Sequence, residues 1–120
     1  MSDPMTLRRL YGRRQGHALR AGQAALIEET LPRLAVPESG PLDAVRLFGE
    51  ALPLELEIGF GKGEHLAAQA AARPGHGFIG CEPFLNGVVG ALAQVRDGAL
   101  AHVRLHLGDA LEVLERLPDA

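Results

Sequence analysis

Apolar residues fall into two kinds of segment along this chain. From Ala18 to Leu34 they recur at near-helical spacing (Ala18, Ala21, Ala25, Leu26, Leu31), which predicts a helix ending near Pro32. Pro37, Gly40 and Pro41 mark a linker, and residues 42–50 predict a short helix leading into the first strand. From there one unit repeats. Short apolar runs at Leu54–Ile58, Gly77–Cys81 and Val103–Leu107 predict strands. Stretches at Gly63–Ala72, Phe84–Val95 and Ala110–Leu117 predict helices, stopped in turn by Pro74 with Gly75, by Gly98 and by Pro118. Gly87 and Gly90 weaken the second of these helices. Three strands alternating with three helices predict an α/β fold, a parallel sheet with flanking helices joined by right-handed crossovers.

This divides the chain into a basic arm with helices over 1–50 and the first half of a Rossmann-like cofactor-binding domain over 51–120. A doubly wound sheet is built from two halves. The pattern stops after the third β-α unit, which leaves strand one at an edge where a fourth would pair. The expectation is a truncated chain or a fragment.

The loop after the first strand carries the chemistry. Residues 54–63 read Leu-Glu-Leu-Glu-Ile-Gly-Phe-Gly-Lys-Gly, with Gly59, Gly61 and Gly63 at alternate positions and Glu57 two residues before the first. Glycines at a strand-to-helix turn adopt unusual dihedrals and let a ligand lie against bare main chain. The following helix N-terminus offers N–H groups and partial positive charge. A turn with no ligand is the alternative. The dinucleotide fingerprint places its third glycine five residues after the first; here Gly63 comes four after Gly59. A carboxylate facing the loop repels a pyrophosphate and suits a cation, so charge favours S-adenosylmethionine, with its sulfonium and ammonium, over NAD.

Glu82 follows the second apolar run, where an acid can accept both ribose hydroxyls. Asp109, in Leu-Gly-Asp-Ala after the third strand, can accept from an adenine amino group or cap the third helix. Phe84 reads more readily as a core contact at a helix start than as a neighbour of the adenine. Lys62 and Glu64 read as solvated, and Cys81 as a small buried core residue. The five histidines lack metal-ligand spacing with Cys or acids, so no metal site is argued. No nucleophile–base pair of the hydrolase kind is present.

Composition narrows the setting. Aromatics are scarce, with no Trp, one Tyr and four Phe, so aliphatic residues build the core. A single Cys excludes an internal disulfide and fits a reducing cytoplasm. No apolar run approaches the roughly 20 residues of a membrane span, and the start lacks the order of a signal peptide. The net charge of −3 is uneven. Arg8, Arg9, Arg13, Arg14 and Arg20 face only Asp3 within the first 27 residues, whereas the remainder is acidic. A basic leader on an acidic body fits either a polyanion contact or a solvated terminus.

Leu56-Glu57-Ile58-Gly59-Phe60-Gly61-Lys62-Gly63-Glu64 followed by Phe78-Ile79-Gly80-Cys81-Glu82 resembles the bacterial tRNA (guanine-N7-)-methyltransferases. Asn86-Gly87-Val88, the Asp109-Ala110 step, and the leader stretches Gly12-Arg13-Arg14-Gln15-Gly16 and Ala21-Gly22-Gln23 carry the likeness over nearly the whole chain. The resemblance implies a class I, S-adenosylmethionine-dependent methyltransferase acting on N7 of a variable-loop guanine in tRNA. It puts Glu57, Glu82 and Asp109 on cofactor-binding positions beside the loop glycines, and Arg13 and Arg14 in the RNA-binding leader. It also implies a catalytic Asp in a Phe-Pro-Asp-Pro-Trp-like segment beyond residue 120. Two other readings stay open at this point: an NAD(P)-binding oxidoreductase, and a non-catalytic RNA-binding module.

Overall fold

The computed structural model describes residues 21–118. The basic leader, including Arg13 and Arg14, lies outside them. Helix begins the described chain as α1 (Ala21–Ala25), passes through a π turn (Leu26–Thr30), and resumes as α2 (Leu31–Leu34). It ends at Leu34, two residues past Pro32 and close to the expected stop. Proline lacks an N–H and its ring crowds the carbonyl four residues back. The wider π turn, closed by the Leu31 N–H on the Leu26 carbonyl, precedes Pro32 and leaves the proline at the start of the last α turn, where it is tolerated.

After the linker comes α3 (Ala44–Phe48), whose first turn is capped by Asp43 accepting from the Arg46 N–H at 2.8 Å. Then follow β1 (Leu54–Ile58), α4 (Glu64–Ala72), β2 (Gly77–Glu82), α5 (Leu85–Asp97), β3 (Val103–Leu107) and α6 (Leu111–Leu114). The last helix is a single turn, shorter than the Ala110–Leu117 expected. It is held from the other side by Arg116, whose guanidinium donates to the Gly40 and Pro37 carbonyls and ties the linker down.

The three strands form one parallel sheet in the order β1-β2-β3, with Ile58 opposite Cys81 and Glu82 opposite Leu107. Alternation along the strands feeds two cores. Phe78, Val103 and Leu105 pack with the N-terminal helix, α4 and α5 on one face; Leu54, Leu56, Ile79 and Cys81 pack with Leu42, Leu47 and Val113 on the other. Burial of Leu85, Val88, Val89, Leu92 and Val95 at helical spacing fastens α5 to the first face. The outcome is a three-layer Rossmann-like half-sheet. The outer side of β3 receives Ala35 in a parallel bridge, with the Val36 N–H on the Leu105 carbonyl at 3.0 Å. No described strand pairs with the outer side of β1.

Candidate cofactor site

Parallel pairing brings the carboxyl ends of all three strands to one rim. The loops on either side start by bonding to the end of β2: the Gly59 N–H donates to the Cys81 carbonyl at 2.8 Å and the Gly108 N–H to the Glu82 carbonyl at 3.1 Å. Glu57, the glycine loop, Glu82 and Asp109 are thereby gathered on this rim.

Gly59, Gly61 and Gly63 have φ of 67°, 61° and 84°, the left-handed region that favours glycine. Their surroundings differ. A Cβ at Gly59 or Gly61 would point into open space, whereas one at Gly63 would lie 2.6 Å from the Ala91 Cβ. The first two leave main chain bare towards solvent; the third lets α4 and α5 meet.

Gly87 and Gly90 prove to be part of the same construction. A Cβ at Gly87 would overlap the Gly61 carbonyl and come within 2.9 Å of the Glu82 Cγ, and one at Gly90 would sit 3.0 Å from the Lys62 carbonyl. Helix α5 thus carries a bare stripe on which the loop lies. Gly80, inside β2, is bare for the same reason: a Cβ there would be 2.7 Å from the buried Phe60 ring.

Glu82 is only 6% exposed. Its Oε1 accepts from the Gly61 N–H and its Oε2 from the Phe84 N–H, both at 3.0 Å. The side chain read as an acceptor for both ribose hydroxyls also fixes the loop. Each carboxylate oxygen keeps a further lone pair for a ligand hydroxyl.

Glu57 behaves differently. Its Oε1 meets the His65 Nδ1 at 2.6 Å, while its Oε2 is buried without a hydrogen-bond partner. A buried, unsatisfied carboxylate oxygen is costly and calls for a donor. His65 also reaches Gln69, whose Nε2 lies 3.3 Å from its Nε2. These residues, with Glu55, Leu66, Arg73 and Phe78, line an open cavity of about 270 Å³ beside β1. The Arg73 guanidinium, followed by His76, holds the Glu55 carboxyl below the usual range.

Asp109 is exposed, and its Oδ1 accepts from the Leu111 N–H at 2.9 Å, so the capping role is present at the start of α6. Its own N–H donates to Glu112 Oε1 at 2.8 Å, and that oxygen lies 3.1 Å from the His106 Nε2. These two partners, His106 first, keep the Glu112 carboxyl below its ordinary range. Phe84 corrects the expectation of a core contact: it is 62% exposed on the rim, because its N–H is turned inward to Glu82. Cys81 is buried as expected, and burial, reinforced by Asp109 and Glu112, pushes its thiol up to about 11. Lys62 and Glu64 are exposed. Among the described residues no three His, Cys, Asp or Glu side chains cluster as metal ligands, and no helix is long and apolar enough to cross a membrane.

Sequence reasoning missed His65 and the α5 stripe. Eight residues separate His65 from Glu57, which no local pattern announces. Gly87 and Gly90 did carry a signal, three residues apart and so on one helix face.

Residues 51–119 match the family model described as "Putative methyltransferase". Over 117 residues the chain is 60% identical to a tRNA (guanine-N(7)-)-methyltransferase of Zymomonas mobilis, covering 98% of this chain and 51% of that protein. It is 57% identical to the protein of the same name from Erythrobacter litoralis (98% and 50%) and 57% to that from Sphingopyxis alaskensis (98% and 52%). The chain spans about half the length of the curated relatives it matches.

Proposed function

This chain belongs to a methyltransferase family, and from that premise we propose that it is the cofactor-binding half of a tRNA (guanine-N7-)-methyltransferase. When bound, S-adenosylmethionine supplies the electrophilic methyl group. Two observations carry the reading: bare main chain at Gly59 and Gly61, and, on the strand just before that loop, a carboxylate oxygen of Glu57 that lacks a donor. An unpartnered carboxylate suits a cation. A pyrophosphate would meet Glu57 as a like charge, and no comparison favours the oxidoreductase or the non-catalytic module.

Within this reading Glu57 balances the positive charge of the cofactor. Gly59 and Gly61 admit it against the backbone, and Gly63 keeps α4 close to α5 so that the loop holds its shape. Glu82 fixes the loop through the Gly61 N–H and offers its remaining lone pairs to ribose hydroxyls. Asp109, pre-set by Glu112, offers its second oxygen to an adenine amino group. Guanine N7 carries a lone pair and no proton, so the chain needs no strong general base here. Orientation supplies much of the rate. Arg13 and Arg14 contact tRNA phosphates, a contribution that weakens as salt rises. The setting is the cytoplasm, where tRNA is processed.

Calorimetry with S-adenosylhomocysteine on the full-length gene product tests the cofactor reading, and absence of binding heat from folded protein rejects it. Changing Arg13 and Arg14 to Glu tests the leader: tRNA affinity is expected to fall, and an unchanged gel shift would remove that assignment.

A further inference from the structure

The loop between β3 and α6 is pinned by two neighbours. From β2, the Glu82 carbonyl accepts the Gly108 N–H at 3.1 Å. From α6, Glu112 Oε1 accepts the Asp109 N–H at 2.8 Å and lies 3.1 Å from the Nε2 of His106 on β3. An ionised carboxylate only accepts, so the imidazole carries its proton on Nε2 and donates it. Gly108 makes room for this bridge. A Cβ there would lie 2.6 Å from Glu112 Oε1 and 2.7 Å from His106 Nε2. The bridge thus presses against the main chain that leads into Asp109.

Asp109 is held twice over. Its N–H is taken by Glu112, and its Oδ1 accepts from the Leu111 N–H at 2.9 Å. The reciprocal pairing of Asp109 with Glu112 is the arrangement of a capping box. His106 and the bare Gly108 are not required by one, and both serve to keep Glu112 in place.

We infer that His106 and Glu112 are positioning residues for base selection: by fixing Asp109 they make the site prefer a 6-amino purine to a 6-oxo purine. This role rests on the proposed contact between Asp109 and the adenine amino group, and adds selectivity to it. Adenine offers an N–H donor at position 6. Hypoxanthine has a carbonyl oxygen there and carries its donor on N1. A fixed carboxylate accepts from the first base and faces the lone pairs of the second. A carboxylate free to swing follows the donor to N1, and the distinction is lost.

The test compares S-adenosylhomocysteine with S-inosylhomocysteine, its 6-oxo analogue, by calorimetry on the full-length gene product. Wild type is expected to bind the adenosyl compound about tenfold more tightly, the yield of one hydrogen bond to a charged acceptor. Glu112→Ala should abolish most of that ratio. Glu112→Gln keeps an acceptor oxygen and should retain most of it, and His106→Ala should fall between. Both compounds are measured on the same variant, so a general loss of stability leaves the ratio unmoved. Glu112 is 62% exposed in its side chain, so its variants should fold. In an Asp109→Ala background, Glu112→Ala should change the ratio no further. A wild-type ratio in Glu112→Ala or in His106→Ala overturns the inference, and so does a further loss in the Asp109→Ala background. Equal binding of both compounds by wild type removes the contact of Asp109 with the base, and the selectivity role with it. Absence of binding of either compound removes the cofactor site itself, a failure distinct from binding that ignores Glu112.

Discussion

Glu82, the last residue of β2, holds Gly61 of the preceding β-α loop through a 3.0 Å bond from the Gly61 N–H to its Oε1. A side chain on the second strand thereby sets the conformation of the loop after the first. Its other oxygen fixes the Phe84 N–H at the entrance to α5. One buried carboxylate organises both flanks of the site.

Replacing it should expose that dependence. Glu82→Ala leaves the Gly61 and Phe84 N–H groups without acceptors, at a cost of about 1–3 kcal/mol for each one that stays buried. Glu82→Gln keeps one acceptor oxygen and should lose less. Thermal melts rank the two variants, and calorimetry should show both losing cofactor affinity. Wild-type affinity in Glu82→Ala would show that the loop holds itself.

Gly61 and Gly63 should part company on substitution. Gly61→Val directs a side chain into open space where the ligand is expected, so affinity should fall more than tenfold. Left-handed strain at this residue costs about 1–3 kcal/mol of stability. Gly63→Ala adds to similar strain an overlap with Ala91, typically a further 1–3 kcal/mol. Its melting temperature should drop further. A reversed order would contradict the separation of ligand-facing from packing glycines.

Cys81 should be inert. With its thiol pushed up to about 11, roughly one molecule in a thousand is thiolate at pH 8, and the residue is buried. Iodoacetamide should modify native protein far more slowly than urea-unfolded protein. Equal rates would place the thiol at the surface.

Acid should loosen two edges of the structure. Glu55 and Glu112 both have their carboxyls held below the ordinary range, by Arg73 and His106 respectively. A depressed folded-state value adds stability that is present above the unfolded value, about pH 4, and lost as pH falls through the folded one. Melting temperature should therefore decline below about pH 4, and less steeply in Glu55→Gln. Glu112 is exposed and Glu55 partly so, and solvent screens both pairs, so the effect is small.

Much of this was legible in the chain. Strand spans at 54–58 and 103–107 were readable to the residue, because short apolar runs between glycines and prolines leave little choice. The glycine loop was readable because left-handed backbone has one economical residue. What the sequence withheld was tertiary. Nothing in the sequence announced the π turn that carries the helix to Pro32. Phe84 looked like core, yet the pairing of its N–H with Glu82 turns the ring outward. Glu82 gave no hint that it fixes the glycine loop, because the Gly61 N–H reaches it from 21 residues away, and Glu57 gave no hint of His65. Such partners meet only when the sheet assembles.

The bridge from Ala35 to Leu105 closes one flank of the sheet. A polypeptide seeking backbone partners is thus steered to the opposite flank, along Leu54–Ile58, immediately beside Glu57 and His65. Any strand added there would lie against the wall of the fold that carries Glu57, so that extending the sheet and enclosing that carboxylate would go together.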